Sequence, residues 1–207
     1  MKRLFDIIFS LILIILLSPL LIIISILIRL ESKGNPIFSQ KRVGQESKSF
    51  TIYKFRTMRI DTPDVPTNEF DDRDKYITKM GKFLRITSLD ELPQLFNIIK
   101  GDMSFVGPRP PLFSQKELVK NRKKYNVDKF KPGVTGWAQI NGRDDIENNE
   151  KFEYDLYYKR NFSFWLDIKI IFITILHVIK QEGLIENNDC KKEVNNSKEE
   201  VATKKEE

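Results

Sequence analysis

Two adjacent carboxylates, Asp90 and Glu91, open the segment Thr87-Ser88-Leu89-Asp90-Glu91-Leu92-Pro93-Gln94-Leu95. Cations recur around it along the chain: Lys54, Arg56, Arg85, Arg109 and Arg143. Arg109 and Arg143 sit in Gly107-Pro108-Arg109-Pro110 and Asn141-Gly142-Arg143, and Gly/Pro loops fix a backbone rather than let it drift. Placed cations with a carboxylate pair fit a polyanionic substrate and a divalent metal, and phosphates answer that description. A helix start explains the acids equally well. Ser88 and Glu91 match a capping box, and acids favour a helix N-terminus. Pro93 complicates that account. With Ser88 as N-cap, Pro93 falls inside the helix and clashes with the Leu89 carbonyl; with Asp90 as N-cap, it falls in the first turn. Neither register alone shows catalysis.

Other chemistries lack their residues. There is no G-x-x-x-x-G-K-[ST] phosphate loop, no G-x-G-x-x-G and no H-E-x-x-H. One histidine, His177, and one cysteine, Cys190, exclude a two-imidazole metal site, a Cys-cluster zinc site and an intrachain disulfide. His177 falls in an apolar helical stretch and reads as packing. Asp72-Arg73-Asp74 is a literal D-x-D, but it follows no apolar strand and reads as a solvated acidic loop.

The 207 residues suffice for one domain, and their averages describe a mildly basic soluble protein: net charge +6, 41% apolar and mean hydropathy −0.36. A polytopic membrane protein, a collagen-like chain and a wholly disordered chain are excluded. The net charge, with acids interspersed, is too weak a field for nucleic-acid binding.

The averages conceal an uneven chain. Ile7 to Ile28 is a run of 22 residues without a charge. About 20 apolar residues of helix cross a bilayer core of about 30 Å, so the run is long enough to be membrane-embedded. Ser18-Pro19 lies at its centre. Proline removes a backbone donor, and serine can bond the carbonyl so released. The two arms, Ile7–Leu17 and Leu20–Ile28, are then each too short to cross. Lys2 and Arg3 precede the run, and Arg29 and Lys33 follow it. Basic flanks prefer the cytoplasmic side, so a re-entrant helix-break-helix keeps both ends inside. A kinked single span is the competing arrangement.

Downstream, Pro36–Val43 and Phe50–Thr57 read as a β-hairpin joined by Gly44–Ser49. Ile77–Ile86 and Asp90–Ile99 read as helices, the second with Leu92, Leu95, Phe96 and Ile99 on one face and Gly101 as its stop. Phe105–Leu112 reads as a loop, Leu112–Tyr125 as a charged helix and Lys131–Arg143 as a glycine-rich loop. Asn148–Arg160 and Phe164–Gln181 complete the helices. Their aromatic residues beside Lys159 and Arg160 suit a membrane–water interface, and core helices of a globular domain would show the same residues. The fold class is mixed α+β, mostly helical. The expected organisation is a re-entrant membrane helix over 1–30, a cytosolic catalytic domain with interfacial helices over 31–185 and a disordered Lys/Glu/Asn tail over 186–207.

Several motifs in order carry a resemblance: Lys2-Arg3-Leu4-Phe5-Asp6, Ser18-Pro19, Lys54-Phe55-Arg56-Thr57-Met58, Ser88-Leu89-Asp90-Glu91-Leu92-Pro93-Gln94, Lys100-Gly101-Asp102-Met103-Ser104, Val106-Gly107-Pro108-Arg109-Pro110, Lys131-Pro132-Gly133-Val134-Thr135-Gly136-Trp137 and Asn141-Gly142-Arg143. Over roughly residues 2–182 the chain resembles the bacterial sugar transferase family, the monotopic phosphoglycosyl transferases, in their minimal form. The resemblance implies transfer of a sugar-1-phosphate from a UDP-sugar to polyprenyl (undecaprenyl) phosphate with release of UMP, at the start of glycoconjugate assembly. It implies Asp90 as the nucleophile forming an acyl phosphosugar, and Glu91, with Asp90, as the ligands of Mg²⁺. It further implies Lys54, Arg56, Arg85, Arg109 and Arg143 as phosphate contacts. The expected setting is the cytoplasmic face of the bacterial inner membrane, with membrane lipid and downstream glycosyltransferases as partners. An N-acetylated amino sugar is the donor expected of so compact a chain. The alternatives are a non-catalytic membrane-anchored scaffold and a direct glycosyltransferase that uses Asp72/Asp74 and releases UDP.

Overall fold

The computed structural model describes residues 2–62, 73–142 and 147–180. The tail over 186–207, Cys190, Asp72 and the side chain of Asp74 lie outside the described residues.

Helix α1 spans Lys2–Glu31. At about 1.5 Å per residue it is about 45 Å long. One stripe packs on the rest of the chain along that whole length. Asp6, Ser10, Ile24 and Ile28 are buried. Leu13 and Ile14 pack on a core of Ile52, Leu95, Ile98 and Met103, while Leu20 and Leu21 pack on one of Ile24, Ile28, Phe55 and Leu84. Spacings of three and four put these residues on one helix face. The opposite face, with Ile8, Ile15, Leu16 and Ile22, is exposed. Helical structure continues through Pro19, so the expected two arms form one continuous element. The Ser18 hydroxyl donates to the Ile15 carbonyl at 2.9 Å. That carbonyl lies four residues before the proline, which has no N–H to offer it.

Both ends of α1 are fastened to the same body. At the start, Lys2 bonds the Val106 carbonyl and Asp167, Arg3 bonds the Ile98 and Ile99 carbonyls, and Asp6 accepts from Ser104 and from the Phe105 N–H. At the far end, Glu31 accepts from the Lys79 and Met80 N–H groups.

Strands β1 (Ile37–Val43) and β2 (Ser49–Phe55) form the expected antiparallel hairpin, with Ile37 opposite Phe55 and Val43 opposite Ser49. A single helical turn, α2 (Arg73–Tyr76), leads to α3 (Lys79–Ile86). Gly81 of α3 lies so close to β2's exit that an added Cβ would sit 2.0 Å from the Thr57 carbonyl oxygen. Helix α4 (Gln94–Lys100) docks on β2 through buried Asn97, which accepts from the Tyr53 N–H at 3.0 Å and donates to the Thr51 carbonyl at 2.7 Å. One amide side chain thereby serves an edge strand's free backbone groups. Gly101 ends α4 in the left-handed region at φ 96°, the expected stop.

Two short strands, β3 (Ser104–Val106) and β4 (Gly133–Thr135), pair in parallel. The sequence offered loops at both places. Three residues are too few to show a strand period, and the pairing is non-local. Helix α5 (Lys116–Lys124) lies between the strands in sequence, and α6 (Trp137–Gly142) follows β4 inside the segment read as a loop. Helix α7 (Asn148–Arg160) has the expected bounds, and α8 (Phe164–Ile179) nearly so. Leu118 and Val127 pack with Phe152 and Leu156, joining α5 to α7. Helix α8 packs Ile170 with Val106 and Tyr158, and leaves Trp165, Phe172 and Ile179 exposed.

Candidate active site

The hairpin, α3 and the loop after β3 converge on the turn that carries the two acids. Neither register weighed for that turn is adopted. Leu89–Glu91 forms a 3₁₀ turn, and α4 starts three residues later, with Pro93 immediately before it. Ser88 caps nothing through its side chain. It takes φ 56°, ψ 15°, a left-handed conformation that costs a non-glycine residue about 1–2 kcal/mol. This reversal turns Asp90 and Glu91 back from the end of α3 toward β2.

There Lys54 waits near the end of β2. Its ammonium donates to Glu91 Oε1 at 2.6 Å and lies 3.6 Å from Asp90 Oδ2. Arg109 Nη1 reaches the same Glu91 oxygen at 3.5 Å. Arg85, in the last turn of α3, donates from Nε to Thr57 Oγ1 at 2.9 Å, and its charge acts on Asp90. Thr57 also accepts the Thr78 N–H at its carbonyl, which joins α3 to the end of β2. Thr57 belongs to the motif Lys54-Phe55-Arg56-Thr57-Met58, and nothing in its sequence setting points to a role. A threonine that follows two expected cations, Lys54 and Arg56, carries no signal until α3 is placed beside it.

The neighbouring carboxyls are pushed in opposite directions. Burial raises Asp90 above the usual aspartate value; the charge of Glu91 adds to this, and Lys54, Arg85 and Arg109 only partly offset it. Burial also acts upward on Glu91, but the charges and hydrogen bonds of Lys54 and Arg109 outweigh it and hold that carboxyl below the usual glutamate value. Asp90 lies in the 3₁₀ turn ahead of α4 and not in that helix's first turn, and desolvation is the largest influence on its carboxyl.

The cations divide as well. Lys54, Arg85 and Arg109 surround the acids. Arg56 does not join them. Its guanidinium is committed to the Ser32 and Lys33 carbonyls and the Ser32 hydroxyl at 2.7–3.0 Å, and the side chain is buried. Strand alternation would have put Arg56 on the face of Lys54, but β2 ends at Phe55. Arg56 thus fastens the exit of α1. Arg143 lies outside the described residues. His177 sits half-buried in the last turn of α8.

Among the described residues no three His, Cys, Asp or Glu side chains cluster as a metal cage. Two adjacent acids suit Mg²⁺, which commonly takes one or two carboxylates and completes its shell with water and substrate phosphates.

The sequence profile of the bacterial sugar transferases matches residues 1–181, and the chain belongs to that family. It is 48% identical over 181 residues to a UDP-glucose:undecaprenyl-phosphate glucose-1-phosphate transferase of Klebsiella pneumoniae, covering 84% of this chain and 39% of that protein. It is 41% identical over 194 residues to an uncharacterized sugar transferase of Bacillus subtilis, covering 91% of this chain and 92% of that one. A UDP-N-acetylgalactosamine-undecaprenyl-phosphate N-acetylgalactosaminephosphotransferase of Aeromonas hydrophila is 39% identical over 88% of this chain and 44% of its own length. The chain thus spans about two fifths of the Klebsiella and Aeromonas relatives and nearly all of the Bacillus one.

Proposed function

We propose that this chain transfers a sugar-1-phosphate from a UDP-sugar to undecaprenyl phosphate through a covalent intermediate on Asp90. The observation that carries the reading is the pair of oppositely tuned acids facing Lys54, Arg85 and Arg109. Asp90 is partly buried, and its closest ion-pair partner among the described residues stands 3.6 Å away, whereas Glu91 is bonded to Lys54 at 2.6 Å, so the Asp90 carboxylate is the less committed of the two and the one assigned as nucleophile. One carboxylate oxygen of Asp90 attacks the β-phosphorus of the donor. The phosphoanhydride bond breaks, UMP leaves with the bridging oxygen, and an acyl phosphosugar remains. An oxygen of undecaprenyl phosphate then attacks the same phosphorus, forming the lipid diphosphosugar and freeing the carboxylate. Donor, carboxylate and acceptor are all anions. Lys54, Arg85 and Arg109 offset their repulsion and the charge on the transferring group. Mg²⁺, held by Glu91 with Asp90, would supply further charge neutralisation.

The site lies at the cytoplasmic face of the inner membrane, with both ends of α1 on that side. Among the described residues α1 is the one helix long and apolar enough to cross a membrane. Its packing against the same body from Asp6 to Ile28, and the fastening of both its ends, favour an arrangement in which it does not cross. The exposed face of α1 and the exposed aromatics of α8 then meet lipid. Leu4→Cys and Lys33→Cys, each in a Cys190→Ser background, should both be labelled from the cytoplasmic side; labelling from opposite sides refutes this placement.

The reaction is tested by incubating the protein with UDP-sugars and undecaprenyl phosphate, with an N-acetylated amino sugar as the first donor. UMP is the expected nucleotide, and donor alone should add the mass of a sugar phosphate at Asp90. UDP as the product would establish direct glycosyl transfer instead. No nucleotide release from any donor would leave the scaffold reading.

A further inference from the structure

Arg109 stands on a loop that cannot hold itself. In Gly107-Pro108-Arg109-Pro110-Pro111 three residues lack an N–H. The loop is held by its carbonyls instead, from three places: β4, the end of β1 and α5. Pro108 accepts from the Gly133 N–H at 3.1 Å, and Pro111 from the Val43 N–H at 3.1 Å. Pro110 accepts from Arg42 at 3.3 Å. The Arg109 carbonyl accepts from Arg122 Nη1 at 2.8 Å.

Arg122 is buried, and two of its other nitrogens, Nε and Nη2, are fixed on Asp155 Oδ2 at 2.8 and 2.5 Å. Asp155, on α7, is 2% exposed. A planar guanidinium with two donors anchored has its third aimed by geometry. A line of bonds therefore runs from α7 through α5 to the backbone of Arg109, whose side chain reaches Glu91. Joining α5 to α7 does not require this third bond, because Leu118, Val127, Phe152 and Leu156 already pack the two helices together.

We infer that the Arg122–Asp155 pair is a positioning device for Arg109: it sets the backbone from which the Arg109 guanidinium meets the donor's phosphates. This rests on the phosphate role given to Arg109 above. Neither Arg122 nor Asp155 touches the reacting atoms. Their effect passes through one carbonyl.

The test is a double-mutant cycle on kcat/KM for UMP release, with the full chain. Arg122→Met with Asp155→Leu replaces the pair by apolar side chains and leaves no buried charge behind, so the fold persists. Arg109→Ala should cost on the order of 100-fold in the parent. In the Arg122→Met/Asp155→Leu background it should cost tenfold or less, because the guanidinium is already misplaced. Arg122→Lys keeps a charge for Asp155 but not the fork; it should give the same coupling, and it carries the cycle should the double variant fail to fold. Equal losses in both backgrounds overturn the positioning role. Parent-like kcat/KM in Arg109→Ala alone overturns the phosphate role itself.

Discussion

Two buried groups of opposite charges lie in this molecule on different terms. In the frame, Arg122 sets two nitrogens on one oxygen of Asp155. Asp167 divides its oxygens between Lys2 and the Tyr158 hydroxyl. Burial and that bond to Asp167 hold Tyr158 protonated far above the usual tyrosine range. Every partner there is close and spoken for. In the candidate site, two adjacent acids face three cations, two of the contacts stretch to 3.5–3.6 Å, and the acids titrate in opposite directions. The frame uses charge to define one arrangement. Among the described residues the site sets three cations beside two carboxylates, an arrangement that suits the diphosphate donor proposed above.

The largest expected effect is on the site side. Asp90→Asn should lower UMP release by on the order of 10⁶-fold, as for loss of a covalent nucleophile. Its thermal unfolding midpoint should hold or rise, because burial and Glu91 both oppose the charge removed. A drop in that midpoint comparable to that of a frame variant would erase the distinction.

Asp155→Ala is the counterpart in the frame. Leaving Arg122 buried and unpaired should cost about 3–5 kcal/mol, read from denaturant unfolding. A loss below about 1 kcal/mol would mean that Arg122 finds water, and the frame pair would then resemble a surface pair.

Gly107→Ala tests the seam between the two groups. Its Cβ would lie 2.2 Å from the Lys131 carbonyl oxygen, so backbone must move. Overpacking of this kind costs about 1–3 kcal/mol, and the displaced loop carries Arg109. Activity should fall further than stability does, as judged by UMP release at a temperature well below unfolding.

Ser88→Gly is the smallest. It relieves a left-handed serine and should raise stability by about 1 kcal/mol in thermal unfolding. A capping serine would have produced a small loss instead, so the sign of the shift decides between the two geometries.

The local elements were legible where their signals are local. The β-branched and aromatic runs of β1 and β2 around Gly44–Ser49, the bounds of α7, and Gly101 as the stop of α4 each depend on neighbours within a few residues. The acids and three of the cations gathered around them were legible as residue types. The 3₁₀ turn at Leu89–Glu91 was not, because it hinges on Ser88 adopting a conformation its own propensity disfavours. Nor was the diversion of Arg56 to Ser32 and Lys33, because the end of a strand sets where alternation lapses.

By itself the sequence determined the apolar length of α1, the hairpin, the order of the motifs and the charges available to a phosphate-bearing substrate. These follow from composition and short-range periodicity, which act whatever the rest of the chain does. Tertiary structure alone decided that α1 lies along the domain and is fastened at both ends. It also decided that Asn97 serves an edge strand, that β3 and β4 pair, and that Arg122 grips the carbonyl of Arg109. Each of these joins groups distant in the chain, and their energy comes from burial and from mutual satisfaction of polar atoms, which exist only once the chain has closed around them.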